Sequence, residues 1–318
     1  MKQLKAKLWE PGEYHYKGAY GFEPMIYGYL HEDDKERPCM IVVPGGGYSS
    51  VSPSESEVVA MDFFEKGYQA FVCVYTVNPL GRMPLKLQAL RDLSRAVRWV
   101  RGKAGEFRVN PNQVAICGFS AGGHLCGSLC VHFSDVSEEN AAYAGFSNRP
   151  DAAVLAYPVI TSGEKAHRGS FDNLLGKDAT EEELRYMSLE LQVTEQTTPC
   201  FLWHTETDDA VPVENSYLMA EACREKGVPY ALHVFSEGCH GLSLATEAWA
   251  NSDYSEPYCS EQSRILLEKI DKGEISVTQE ERMMAEGSYN CGQGPKTAAA
   301  EVAVWPVIAD AWLKKVMG

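Results

Sequence analysis

Two kinds of apolar segment alternate along the chain, and this alternation constrains the fold more than any other feature. Short continuous apolar runs are typical of strands buried on both faces, whereas apolar residues recurring every three or four positions indicate amphipathic helices. The predicted strands are 1–9, 25–30, 39–43, 70–77, 114–118, 152–160, 199–204 and 230–235. The predicted helices are 54–66, 84–103, 121–133, 213–226 and 297–316. This order predicts an α/β fold with a mainly parallel, doubly wound sheet covered on both faces.

Two long connections, 161–198 and 250–296, interrupt the alternation. Connections of this length are usually functional or contain helices of their own. No repeat, low-complexity tract or linker rich in Pro and Ser divides the 318 residues, so we predict one domain, 1–318, with two insertions at the edge of the sheet where the parallel strands end. Within the second insertion, the acidic and polar stretch 271–282 predicts a solvent-exposed helix.

The charge balance excludes some classes of partner. The chain has 44 acidic and 29 basic side chains and a net charge of −15, which disfavours binding to nucleic acid or to an anionic membrane surface. No apolar run approaches the roughly 20 residues of a membrane-spanning helix. The charged first residues, MKQLKAKLWEPGEY, lack the apolar stretch of a secretory signal and predict a cytoplasmic protein.

The ten cysteines are expected to be free thiols and not a disulfide framework. Cys39, Cys73 and Cys117 lie inside apolar strand-like runs, where a thiol packs as a small hydrophobic group. Cys126 and Cys130 have helical spacing without an accompanying histidine pattern, so we expect no zinc site.

The segment Gly118-Phe119-Ser120-Ala121-Gly122 joins a predicted strand to a predicted helix. A serine becomes a nucleophile only when a base takes its proton, and a tight strand-to-helix turn lifts the hydroxyl clear of the backbone toward such a base. The flanking glycines let strand and helix pass closely. This pattern is weak alone, since a serine helix cap in a glycine-rich turn would look the same, but its placement favours Ser120 as nucleophile.

A second glycine-rich loop, Pro44-Gly45-Gly46-Gly47-Tyr48, follows the predicted strand 39–43. Consecutive glycines can turn backbone N–H groups toward an anion. We expect Gly46 and Gly47, together with the N–H of Ala121, to form an oxyanion hole. A phosphate-binding loop is disfavoured because no Gly-Lys-Ser/Thr follows, and a merely flexible turn is the remaining alternative.

A carboxylate and a histidine follow two later strands. Asp208 and Asp209 both come just after a predicted strand and could orient an imidazole, with Glu206 a weaker candidate and a helix cap the ordinary alternative. His240 lies between glycines on a loop. The other histidines of strands and helices look structural: His124, His204 and His233. The order serine, aspartate, histidine, with gaps of 88 and 32 residues, is that of α/β-hydrolases.

With these motifs, the chain resembles the α/β-hydrolase superfamily, and within it the bacterial acetyl xylan esterase-like group of small-ester esterases and lipases. The matching segments are 42–60, 67–75, 87–101, 110–125, 201–216 and 238–244. The family places its acid in a D-x-x-V-P stretch, which selects Asp208 over Asp209 here. Pro44 departs from the histidine that hormone-sensitive-lipase-like proteins have before the glycines, and this points away from that group.

The resemblance implies a serine carboxylesterase that removes short acyl groups, most plausibly acetyl, from a sugar or xylo-oligosaccharide. Ser120, Asp208 and His240 would be the catalytic triad, and no cofactor or metal is expected. The expected partner is a small-molecule or oligosaccharide ester, and a homodimer is an arrangement that the sequence leaves open. The rival interpretations are an amide-cleaving hydrolase, such as a peptidase or formamidase, and a catalytically silent binding protein of the same fold.

Overall fold

A computed structural model describes residues 1–252, 254 and 256–318, which contain one eight-stranded sheet. The strand order is β1-β2-β4-β3-β5-β6-β7-β8, with β2 antiparallel to both neighbours and all later pairs parallel. The strands are β1 Lys2–Lys7, β2 Met25–Leu30, β3 Arg37–Val43, β4 Gln69–Val74, β5 Val109–Phe119, β6 Ala152–Ala156, β7 Cys200–Thr205 and β8 Tyr230–Phe235. The prediction of a mainly parallel sheet is confirmed.

Helices cover both faces of this sheet. The helices of the described residues are α1 Glu57–Glu65, α2 Gln88–Gly102, α3 Ala104–Phe107, α4 Ala121–His132, α5 Ala141–Ala144, α6 Arg168–Leu175, α7 Glu181–Tyr186, α8 Glu214–Glu225, α9 Glu247–Ala250, α10 Glu261–Asp271, α11 Gln279–Tyr289 and α12 Trp305–Met317. Adjacent residues of β5 point to opposite faces. A Cβ at Gly118 would lie 2.6 Å from the Sγ of Cys126 in α4, whereas the Phe119 ring lies 6.0 Å from Trp305 in α12. Thus α4 and α12 pack on opposite faces.

The parallel pairing brings several strand ends to the same edge of the sheet. Val43 pairs with Gly118, Phe119 pairs with Ala156, and Thr205 pairs with Phe235. The loops that follow β3, β5, β6, β7 and β8 therefore begin side by side. Ligand sites of open α/β sheets form at this carboxyl edge.

Several predicted boundaries were wrong. β6 ends at Ala156 and not at residue 160, because Pro158 has no N–H with which to continue the ladder. β5 begins five residues earlier than predicted, at Val109. The last helix begins at Trp305, preceded by the 3₁₀ turn Val302–Val304, so the predicted helical start at residue 297 was also wrong.

The second insertion consists mainly of the helix pair α10 and α11. The predicted exposed helix 271–282 was wrong, since α10 ends at Asp271 and α11 begins only at Gln279. The buried Gln262 of α10 ties this pair to the body, because its side chain accepts from the N–H of Val77 at 3.0 Å and donates to the carbonyl of Val77 at 2.7 Å. The division of the chain into domains stays a prediction.

The structure also bears on two further predictions, the state of the cysteines and the lack of a membrane-spanning helix. The cysteines are free thiols, and Cys39, Cys73 and Cys117 are buried in strands as predicted, whereas Cys239 is exposed. In the described part of the chain, no helix has the length and apolar character needed to cross a bilayer.

Candidate active site

Ser120 lies at the turn between β5 and α4. Its backbone has φ 52° and ψ −117°, a region that residues with a side chain seldom adopt. The turn is held by the Ser120 N–H, which donates to the carbonyl of Ala156 at 3.0 Å, and by the Ser120 carbonyl, which accepts from the N–H of Val159 at 3.2 Å. These bonds to the end of β6 hold the serine at the edge of the sheet.

The glycines around Ser120 are required by close packing, as the sequence suggested. A Cβ at Gly118 would collide with the carbonyl of Gly122, and a Cβ at Gly122 would collide with the carbonyls of Val43 and Pro44. Strand β5, helix α4 and the glycine loop therefore cross at backbone contact distance.

The structure brings Ser120, His240 and Asp208 together in one hydrogen-bonded chain. The Nε2 of His240 is 2.8 Å from Ser120 Oγ, and its Nδ1 is 2.8 Å from Asp208 Oδ2. A carboxylate oxygen only accepts, so Nδ1 carries the proton and Nε2 accepts from the serine hydroxyl. His240 is thus in the tautomer that a general base for Ser120 needs.

The side chain of Asp208 is almost fully buried, and its carboxylate has several hydrogen-bond donors. Oδ1 accepts from the N–H groups of Ala210 and Val211, at 2.9 and 2.8 Å. Burial alone would raise the pKa of Asp208, but hydrogen bonds from His204 and His240, the charge of His240 and the Ala210 N–H together hold this pKa well below its usual value. Asp208 therefore stays ionised opposite His240.

His204 also contacts the Asp208 carboxylate. This support of the carboxylate was not predicted from the sequence. Its Nε2 donates to the carbonyl of Val211 at 3.0 Å and lies 3.3 Å from Asp208 Oδ2, while its Nδ1 accepts from Ser216 Oγ at 2.8 Å. Asp209 instead accepts from the backbone N–H of His240 at 2.9 Å. The two aspartates thus hold different parts of His240, and Glu206 bonds to Tyr217 away from it.

The glycine loop has the backbone that an oxyanion hole needs. Gly46 and Gly47 have φ of 124° and 62°, and both lie beside Ser120. Among the described residues, neither of their N–H groups has an acceptor within the protein. Ala121 is the first residue of α4, so its N–H has no acceptor within the helix either. These three N–H groups are available to a ligand next to Ser120.

A cavity of about 340 Å³ opens over Ser120 and His240, and both predicted insertions contribute to its wall. His167 comes from the first insertion, and the run from Cys291 to Lys296 comes from the second. His167 was not predicted, because its place in the cavity depends on how the loop before α6 folds. A larger cleft of about 640 Å³ lies between Trp9 and Asn140. None of Ser120, Asp208 and His240 lines it.

Most aromatic residues of the second insertion, like Trp249 just before it, are engaged in contacts within the protein. Trp249 and Tyr254 are buried, and the indole N–H of Trp249 donates to the carbonyl of Ser54 at 2.9 Å. Tyr258 stacks on Tyr27 with ring centroids 4.0 Å apart. Tyr289 differs from these residues, because its side chain is exposed.

Metal binding can be judged for the described residues only. Among them, no group of three or more His, Cys, Asp or Glu side chains is arranged to hold a metal ion. The expectation of a reaction without metal or cofactor stays a prediction.

Comparison with protein families identifies the group to which this site belongs. The family model described as BD-FAE matches residues 26–223, more than half of the chain. The chain belongs to the BD-FAE family. The match to BD-FAE runs from β2 into α8 and so contains Gly46, Gly47, Ser120 and Asp208, while His240 lies beyond it.

Curated relatives of this BD-FAE protein include two whose names refer to xylan. It is 48% identical over 259 residues to endo-1,4-beta-xylanase B of Butyrivibrio fibrisolvens, covering 80% of this chain and 41% of that protein. It is 30% identical over 223 residues to an acetylxylan esterase of Xylanibacter ruminicola, covering 69% and 43%. The chain therefore spans about two fifths of the length of these relatives.

Solved structures match the BD-FAE protein over most of its length. The acetyl ester-xyloside bifunctional hydrolase from Caldicellulosiruptor lactoaceticus has a TM-score of 0.72 and 36% identity, covering 86% of this chain and 97% of that one. MGS-M1, an α/β hydrolase from a deep-sea metagenome library, has a TM-score of 0.65 and 25% identity, covering 100% and 98%. The predicted resemblance to an esterase-like group of α/β-hydrolases is confirmed.

Proposed function

We propose that the protein is a serine carboxylesterase that removes short acyl groups, above all acetyl, from an esterified sugar or xylo-oligosaccharide. The observation that carries this proposal is the hydrogen-bonded chain Ser120–His240–Asp208, which lies at the mouth of a cavity beside three available backbone N–H groups. Serine, base and orienting acid have the relative geometry that acyl transfer requires.

In the first half of the proposed reaction, Ser120 Oγ attacks the ester carbonyl carbon while its proton passes to Nε2 of His240. The carbonyl oxygen becomes an oxyanion, to which Gly46, Gly47 and Ala121 donate hydrogen bonds from their N–H groups. Asp208 stabilises the imidazolium through the Nδ1–H. When the tetrahedral intermediate collapses, the bond to the alcohol oxygen breaks, and His240 returns the proton to the leaving alcohol.

In the second half, water replaces the alcohol. His240 takes a proton from the water as the hydroxide attacks the acyl-serine, and the same N–H groups hold the second oxyanion. Collapse breaks the bond between the acyl carbon and Ser120 Oγ, the proton of His240 returns to Oγ, and the carboxylic acid is released. Acyl transfer of this kind needs no oxidant or reductant.

The comparisons support the sugar ester as substrate class through the names of the relatives. One curated relative is an acetylxylan esterase and one solved neighbour is an acetyl ester-xyloside bifunctional hydrolase. The cavity of about 340 Å³ suits a small acyl group and part of the alcohol. Both considerations favour acetyl over a long acyl chain.

The test is hydrolysis by the whole chain and by Ser120→Ala. We expect the wild-type protein to release acetate from an acetylated xylo-oligosaccharide and from 4-nitrophenyl acetate, with rates falling as the acyl chain lengthens. Ser120→Ala should lower kcat at least about a thousandfold with an unchanged circular dichroism spectrum. The matched control is Ser128→Ala, which removes a buried hydroxyl from the same helix outside the cavity and should retain activity.

The rival functions give different outcomes. An amide-cleaving hydrolase would cleave 4-nitroacetanilide about as fast as the ester. A silent binding protein would not be labelled at Ser120 by a fluorophosphonate. Retention of more than a tenth of wild-type kcat by Ser120→Ala would contradict the assigned nucleophile.

A further inference from the structure

A buried carboxyl group, that of Glu55, lies beside the nucleophile and has no part in the reaction described above. Glu55 ends the 3₁₀ turn Pro53–Glu55, shortly after the glycine loop. Its side chain is 4% exposed, yet it lines the same cavity as Ser120 and His240. Carboxylates are seldom buried unless their oxygens are hydrogen-bonded, so the partners of each oxygen indicate what the group holds.

One oxygen of Glu55 holds the glycine loop. Its Oε2 accepts from the N–H of Gly45 at 2.8 Å, directly before the two glycines proposed as oxyanion donors. A Cβ at Gly45 would lie 2.8 Å from this oxygen and 3.0 Å from the Cβ of Ser120. Gly45 therefore lies between the Glu55 carboxylate and the Ser120 side chain, with no room for a larger residue. The hydrogen bond to Glu55 fixes its peptide group there.

The other oxygen of Glu55 connects to the histidine loop. Its Oε1 accepts from the hydroxyl of Tyr157 at 2.7 Å, and the same tyrosine oxygen accepts from the N–H of Ser243 at 3.0 Å. Ser243 lies three residues after His240, and the Tyr157 ring contacts the His240 ring edge to face, with centroids 4.9 Å apart. Tyr157 thus supports His240 by both its ring and its hydroxyl.

We propose that Glu55 is a positioning residue that, through Tyr157, holds the glycine loop and the histidine loop at a fixed separation around Ser120. This proposal rests on the proposed function for the roles of those two loops. The two bonds of Tyr157 have opposite directions, because its hydroxyl donates to Glu55 and its oxygen accepts from the N–H of Ser243. Positions in such a site must be held within about 0.5 Å for efficient catalysis.

A simpler role would be to satisfy the buried N–H of Gly45 alone. Burial raises the pKa of Glu55, although hydrogen bonds from Tyr157 and Gly45 oppose this, so the site is costly for a group with only that purpose. Glutamine separates the two roles. Its carbonyl oxygen can accept from Gly45 equally well, but its NH₂ then faces Tyr157, which already accepts from Ser243, and the tyrosine proton loses its acceptor.

The experiment compares Glu55→Gln, Tyr157→Phe and the double variant in the full chain. The readouts are kcat and KM on 4-nitrophenyl acetate, the second-order rate of Ser120 labelling by a fluorophosphonate, and the thermal unfolding midpoint. We expect each single variant to lower kcat and the labelling rate at least tenfold, about 1.4 kcal/mol, with KM within about threefold. Since both residues belong to one chain of bonds, the double variant should be no more than about twofold slower than the slower single variant.

The matched control is Asp92→Asn. Asp92 is another buried carboxyl, which accepts from Trp9 at 2.9 Å and from Thr76 at 2.6 Å outside the catalytic cavity. Its substitution should lower the unfolding midpoint and leave kcat and the labelling rate unchanged. This separates general destabilisation from loss of positioning.

Two results would overturn the proposal: a folded Glu55→Gln protein labelled within twofold of the wild-type rate, or losses that multiply in the double variant. If Glu55→Gln does not fold, the nearly isosteric Tyr157→Phe decides by the same criterion. A wild-type chain that is labelled but hydrolyses no ester would contradict the proposed function, while its labelling rates would still decide the role of Glu55.

Discussion

Asparagine at position 208 preserves the size of Asp208 but replaces one acceptor oxygen by an NH₂ donor. In the native protein, Oδ1 accepts from the N–H groups of Ala210 and Val211, and these backbone donors cannot change. The asparagine should therefore keep its carbonyl oxygen on the backbone and turn its NH₂ toward His240. The imidazole can adapt, because it can accept at Nδ1 and carry its proton on Nε2. That proton then faces Ser120 Oγ, which lies 2.8 Å away.

A histidine in this tautomer cannot take the serine proton. We expect Asp208→Asn to lower kcat about 10⁴-fold, roughly 5 kcal/mol of transition-state stabilisation, while the fold persists. Initial rates of 4-nitrophenyl acetate hydrolysis near neutral pH measure this. The matched control is Asp209→Asn, since an amide oxygen can still accept from the His240 N–H, and its kcat should stay within about threefold. The reasoning fails if Asp208→Asn retains a tenth of wild-type kcat, or if Asp209→Asn is the slower variant.

Two further predictions concern other histidines. Burial lowers the pKa of His124 from 6.5 to about 4, against the opposing effect of the Met187 carbonyl. Between these pH values the unfolded chain binds a proton at His124 that the folded chain does not. Urea unfolding should therefore reveal a loss of stability on the order of 3 kcal/mol as the pH falls from 6.5 to about 4. An equal loss in the His124→Gln variant would contradict this. The Nδ1 of His167 is 2.9 Å from Ser170 Oγ, and the ring lines the cavity, which leaves Nε2 for the alcohol part of the substrate. We therefore expect His167→Ala to lower kcat/KM about tenfold on an acetylated xylo-oligosaccharide and less than about twofold on 4-nitrophenyl acetate, and equal effects on both would exclude that contact.

The sheet was largely predictable because strands buried on both faces appear as continuous apolar runs. The fully buried strand Met25–Leu30 has the predicted bounds, and so does the edge strand Tyr230–Phe235, which is only partly buried. The errors concern ends where long-range contacts decide. Nothing local reveals that β5 extends back to Val109, where it pairs with Arg37 of β3. Helix α12 begins only at Trp305, whose indole N–H donates to the carbonyl of Ser243, 62 residues earlier.

In the candidate site, too, some residues could be predicted from local sequence and others could not. Ser120, Asp208 and His240 were identifiable because each lies in a short motif at a strand end, and parallel pairing brings such ends together. Glu55 has no comparable signature, since a glutamate near the start of a helix is ordinarily exposed to solvent. Its burial depends on where Gly45, 10 residues earlier, and Tyr157, 102 residues later, come to lie.

The backbone angle of Ser120 has a practical consequence for engineering this chain. Its positive φ costs on the order of 1–3 kcal/mol for a residue with a Cβ, whereas glycine adopts such an angle readily. A library screened only for resistance to heat would therefore reward glycine at position 120 and discard the hydroxyl. Directed evolution of a hardier protein needs a turnover assay in every round, because thermal resistance and chemistry are in conflict at this residue.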